Sequence, residues 1–137
     1  MAPPENLLAE GKFILEKTGP ILSMAQGDEM NFFNRIPSWL VDIFRIALLG
    51  EIYPNIRAIA VGYCDNGSVL IRYYLDREPT DFDLESIEIV ATNLDALDGK
   101  EQCIDKIDVQ CIHSTSLKRD LESLSGFVYS RYEFSDD

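Results

Sequence analysis

The chain has 137 residues, 46% of them hydrophobic and 26% charged, which gives length for one core and a folded rather than disordered balance. Its formal net charge is -12 and its pI is near 4.4. That much acid disfavours direct contact with nucleic acid or an anionic membrane face, both of them polyanions, and favours basic partners.

The opening "MAPPENLLAEGK" carries acid where a signal peptide needs base, so no targeting segment is expected. A first helix is predicted over about Glu5 to Lys17, with Leu7, Leu8, Ile14 and Leu15 on one side. Gly19-Pro20 stops it and starts a second helical segment to about Arg35, which Gly27 interrupts. Pro37 opens a third helix. Trp39, Leu40, Ile43, Phe44, Ala47 and Leu48 recur along it at three- and four-residue spacing, and Gly50 stops it. The aromatics Phe32, Phe33, Trp39 and Phe44 read as core. "WLVDIFRIALLG" is too short, and too interrupted by Asp42 and Arg45, to span a bilayer.

From Ile56 the period changes to two. Ile56–Tyr63 and Val69–Leu75 flank "DNGS", and Asn-Gly between two alternating runs predicts an antiparallel hairpin whose turn residues both accept positive φ. Tyr73 and Tyr74 point to opposite faces, and Arg72, on the face of Tyr74, calls for a neighbouring carboxylate. Pro79 and a cap at Thr80 or Asp81 then begin an acidic helix to Asp98. After Gly99, Ile107, Val109 and Cys111 face one way and Lys106, Asp108 and Gln110 the other. A helical turn fits Ser116 to Gly126, and Phe127 to Phe134 reads as a last strand. The expected fold is α+β: one domain over residues 1–137, with N-terminal helices, a mostly antiparallel sheet of about four strands, and a helix inserted after the first hairpin.

The acidic helix stands out. Leu84, Ile87, Val90, Ala91, Leu94 and Leu97 gather on one side, while Asp81, Glu85, Glu88 and Asp95 line a second, with no Lys or Arg between Arg77 and Lys100. Like charges at such spacings cost about 0.2–0.5 kcal/mol per neighbouring pair. Two readings fit the pattern: a solvated face on an acidic protein, against which stands the lack of the lysines that ordinary exposed helices scatter, and a surface shaped to meet positive charge. The expected partner-binding residues are Asp81, Glu85, Glu88 and Asp95, with Asp76 and Glu78 at the edge. "DFDLES" imitates the start of an EF-hand loop, but Ser86 stands where glycine is needed and Thr92 where the bidentate glutamate belongs, so no metal is expected.

Catalytic signatures are lacking. There is no glycine-rich phosphate loop and no GxSxG or HExxH. His113, the one histidine, forms a C-x-H pair with Cys111, read here as a strand end beside a small buried side chain. Cys64, Cys103 and Cys111 are odd in number without a CxxC pair and read as reduced thiols. Nothing marks one carboxylate pair, such as Asp76 and Glu78, above another for acid–base work. No catalytic residue and no cofactor is expected.

The block "IPSWLVDIFRIALLGEIYPNIRAIAVGY" (Ile36 to Tyr63), followed by "IRYYLDREPTDFDLESIEIVATNLDA" (Ile71 to Ala96), resembles immunity proteins of bacterial contact-dependent growth inhibition systems, the CdiI family. The likeness covers roughly the middle half of the chain. It implies a cytoplasmic protein that binds, one to one, the C-terminal toxin domain of a large surface-delivered CdiA-type protein and neutralises it. Such toxins are often nucleases with basic substrate-binding surfaces, which fits the acidic helix. Alternatives are an acidic adaptor or regulatory protein for another basic partner, or a carboxylate- and metal-dependent enzyme.

Overall fold

The structure is a computed structural model that describes residues 13–15, 32–99 and 103–133. Among these residues the frame is a five-stranded mixed sheet in the order β1-β4-β3-β2-β5, with two helices against one face. In chain order the elements are β1 (Phe13–Leu15), α1 (Ser38–Ala47), β2 (Ile56–Tyr63), β3 (Ser68–Leu75), α2 (Asp81–Asp98), β4 (Lys106–His113), a 3-10 turn (Lys118–Asp120) and β5 (Gly126–Ser130). The α+β class and the helix inserted after the first hairpin are as the sequence predicts.

Alternation places Ile59 and Val61 of β2, Val69, Ile71, Tyr73 and Leu75 of β3, and Ile107, Val109 and Cys111 of β4 in the main core. Leu40, Phe44, Ala47 and Leu48 of the α1 stripe meet them, as do Leu84, Ile87, Val90, Ala91 and Leu94 of α2. Leu97, assigned to the same side, is exposed at the end of α2. On the other face of the sheet, Ala58, Ala60, Tyr74 and Leu121 form a smaller cluster. Both tyrosines are therefore buried. The Arg72 partner is Glu122 (Nη1 to Oε1, 3.3 Å), helped by Gln110 at 2.7 Å.

β3 and β4 run parallel in register, Val69 beside Ile107 and Tyr73 beside Cys111, because α2 crosses over between them. β5 closes the far edge antiparallel to β2. The first helix needs correction: residues 13–15 form β1, parallel to β4, with Phe13 beside Ile107 and Leu15 beside Val109. The open backbone edge of β4 offers ladder hydrogen bonds that outweigh a weak helical preference. The rest of that predicted helix, and most of the second, lie outside the described residues; residues 32–35 are not helical. Phe33 is exposed rather than core, its N–H bonded to Tyr63 O (2.9 Å) and its ring 5.6 Å from that of Tyr63.

The hairpin forms, with Tyr63 opposite Val69 and Val61 opposite Ile71, but its turn differs from the expected one. Only Gly67 has positive φ, at 88°; Asn66 does not. Gly67 N–H bonds Cys64 O and Cys64 N–H bonds Ser68 O, both at 3.0 Å, which makes a three-residue loop ending in a left-handed glycine. Asn66 instead lends its side-chain oxygen to Ser68 N–H (2.9 Å). Gly67 also sits against the start of β4: a Cβ there would lie 3.1 Å from Asp105 and from Cys103 O.

Gly67→Ala should therefore lose about 1–3 kcal/mol or more, from backbone strain plus the contact. Gly50 shares a positive φ of 77° but has open space around it, so Gly50→Ala should lose less. Urea denaturation of the two variants side by side checks the order.

Candidate partner-binding face

The acidic helix begins in a reciprocal cap. Asp83 turns inward, fully buried, and accepts the Thr80 N–H (2.7 Å) and hydroxyl (3.0 Å). Arg77 grips the same carboxylate from two nitrogens, at 2.5 and 3.1 Å, and Tyr53 donates its hydroxyl at 2.5 Å. Burial alone would push the Asp83 carboxyl up; the hydrogen bonds from Arg77, Tyr53 and Thr80 overcome it and hold it below the usual carboxylate range. Burial, then the bond to Asp83, push the Tyr53 phenol far above its ordinary value, so it stays a donor.

A second cluster joins the chain's end to the hairpin. Arg57 takes both oxygens of Glu133 at 2.9 Å. Arg131 reaches Glu133 (2.9 Å), Asp76 (2.8 Å) and Pro54 O (2.7 Å), and Asn55 also bonds Asp76 (3.0 Å). Asp76 is thus engaged by a cation. Glu78 is open to solvent, with His113 Nδ1 3.1 Å from its Oε2.

The remaining acids are differently placed. Asp81 and Glu85 are exposed, and Glu88 and Asp95 are half-buried, on the same helix. Among the described residues Asp81, Glu85 and Glu88 make no ion pair, and the last turn of α2 holds no basic residue. Burial first, then the Glu85 charge, raise the Glu88 carboxyl above its ordinary range. Glu85, Glu88, Ile89, Thr92 and Asn93 line a shallow open depression. So the structure brings Asp81, Glu85, Glu88 and Asp95 together on one helix, and sets Asp76 and Glu78 apart, each beside a nitrogen base.

Helix α2 takes up "DFDLES" as its first turns, so these residues form no loop that could wrap a cation. Cys111 is buried, and burial pushes its thiol up to about 12, which leaves no thiolate at neutral pH. Cys64 is buried too, and Cys103 exposed. Among the described residues, no three His, Cys, Asp or Glu side chains group as metal ligands, and no helix is long and apolar enough to cross a membrane. The sequence reading missed large exposed apolar side chains: Phe82 and Ile89 on the acidic helix itself, and Leu49 and Ile52 in the loop after α1. Phe82 and Ile89 lie seven apart, off the buried stripe, and that spacing is the signal that could have found them.

Among the described residues, then, Arg57, Arg72, Arg77 and Arg131 of a helix-backed sheet pair with carboxylates, while one helix turns acid outward. Residues 37–133, from the cap of α1 past the end of β5, match the model of the MafI2 immunity protein family, and the chain belongs to that family. No curated protein matches the chain.

The carboxylates give the fold a definite acid sensitivity. Arg57, then Arg131, hold Glu133 from an ordinary 4.5 down to about 2 against the effect of burial; Arg131 and Asn55 lower Asp76 likewise. These groups bind protons less readily folded than unfolded, so their stabilisation is complete above pH 4.5 and is lost as pH falls toward about 2. Glu88 has the opposite sign: its folded form takes a proton more readily, so its charge costs stability at neutral pH and the cost vanishes in acid. Glu133→Gln should be less stable than the parent at pH 7 and lose much of the acid slope. Glu88→Gln should be slightly more stable at pH 7 and equal to the parent near pH 3. Urea midpoints between pH 7 and pH 3 check both signs.

Proposed function

We propose that this chain binds a cognate toxin domain, one to one, and neutralises it by occupying its surface, without catalysis, cofactor or metal. The toxin is of the type delivered on contact between cells, as the C-terminal domain of a large CdiA-like protein, and its basic substrate-binding surface is that of a nuclease. The immunity protein acts in the cytoplasm of the cell that makes it. One observation carries this reading: in a member of an immunity family, Asp81, Glu85 and Glu88 have no ion pair among the described residues, while Arg57, Arg72, Arg77 and Arg131 are each consumed by another carboxylate. Charges left bare in this way are compensated by a basic partner, and the encounter is steered by them. Asp81, Glu85, Glu88 and Asp95 form the binding face; Asp76 and Glu78 border it.

Co-expression with the toxin domain encoded beside its gene should restore growth and yield a one-to-one complex, and failure to co-purify at low salt would end this reading. Glu85→Lys with Glu88→Lys should slow association about tenfold or more at low salt, with a smaller difference at high salt. The free double variant should be as stable as the parent or slightly more so, since like charges are relieved. Stopped-flow association rates at two salt concentrations measure this; equal rates at both would move the interface elsewhere.

A further inference from the structure

Of the ten large apolar side chains exposed among the described residues, four stand along one seam: Leu49 at 72%, Phe82 at 57%, Ile89 at 47% and Ile52 at 40%. Leu49 and Ile52 belong to the loop between α1 and β2, Phe82 and Ile89 to α2. That loop is fastened to the helix at both ends. Asn93 donates its side-chain amide to Ala47 O (3.2 Å). At the other end the Tyr53 ring meets Phe82 edge-on, centroids 4.9 Å apart, and its hydroxyl reaches Asp83. From Phe82 to Asn93 the helix rises about 16 Å. Between its fastenings the loop turns, Glu51 N–H bonding Leu48 O (3.0 Å) with Leu49 and Gly50 at the corner. The two fastenings hold the loop alongside α2, on the side of the helix that carries Phe82, Ile89 and Asn93, with Phe82, Glu85 and Ile89 spaced outward at three and four residues.

Water-exposed apolar side chains normally stand singly; a group of them with a polar rim marks an interaction site. The rim here is acid, Glu85 and Glu88. A second copy of the chain would set these acids against themselves, and nucleic acid or an anionic membrane would set them against phosphate. A basic protein surface satisfies both the charge and the apolar seam. We propose that Leu49, Ile52, Phe82 and Ile89 anchor the interface, seated in an apolar floor within a cleft rimmed by lysine and arginine on the toxin domain. This rests on the toxin-neutralising reading and deepens it: the acids govern how fast the complex forms, and the apolar seam governs how long it lasts.

The test uses the full chain and the toxin domain encoded beside its gene, in surface plasmon resonance at low and high salt. Ile89→Ala and Leu49→Ala should each speed dissociation about tenfold at both salts while changing association less than about twofold. Neither residue holds up the Asp83 network, so both variants should keep the parent's thermal midpoint. Leu117→Ala, an exposed apolar control on the 3-10 side of the sheet, should change neither rate. Parent binding with unchanged dissociation in both variants would overturn the anchor and leave the toxin reading standing. No binding by the parent would overturn both. A free chain that dimerises, and becomes monomeric with Ile89→Ala, would give the seam to a second copy and overturn the proposal.

Discussion

The buried carboxylate of Asp83 is the point on which the rest of the architecture turns. It receives Tyr53 from the loop after α1, Arg77 from the end of β3 and the Thr80 cap of its own helix. The loop after α1, thirty residues away in sequence, and the turn that leads out of β3 are thereby both fixed to the first turn of α2. A charge removed from water is tolerated only when paired and hydrogen-bonded, and here its oxygens are crowded with donors. With the start of α2 set in this way, the inner side of the helix meets β3 and β4, and the side carrying Glu85 and Ile89 looks out.

The net charge of -12 is therefore unevenly spread. The cations concentrate where the frame closes: Arg57 and Arg131 on Glu133, Arg131 on Asp76, Arg72 on Glu122 and Arg77 on Asp83. Each neutralises acid locally, which leaves the field of the molecule to groups such as Asp81, Glu85 and Glu88. Screening reaches about 8 Å at physiological salt, so a local cluster of bare carboxylates counts for more in an encounter than the total charge does.

Much of the fold was legible in the sequence where the signal was local. The α1 stripe, the hairpin, a cap at Thr80 or Asp81, the alternation of β4 and the small turn before the last strand all follow from spacing within a few residues; the structure puts the cap at Thr80. What stayed hidden depends on contacts across the chain. Nothing near residues 13–15 announces a partner strand at Ile107–Val109, and nothing near Asp76 announces Arg131. Asp83 looked like one more acid in a run, although its place three residues after Thr80 is the capping position that turns it inward. The apolar outliers Phe82 and Ile89 are masked in the sequence by the run of acids between them. The resemblance pointed to the CdiI family of immunity proteins; the family that the chain matches is MafI2, so the immunity class stands and the particular family differs.

The two sides of α2 answer to different demands. Ile87, Val90 and Leu94 are committed to the sheet, where a change of one methylene is felt. Glu85, Ile89 and Thr92 touch solvent and add little to the core. With the proposed binding face on its outer side, recognition can be rewritten there while the inner side keeps the fold. A protein built in this way can follow a changing adversary over generations, altering whom it binds without having to reinvent how it stands.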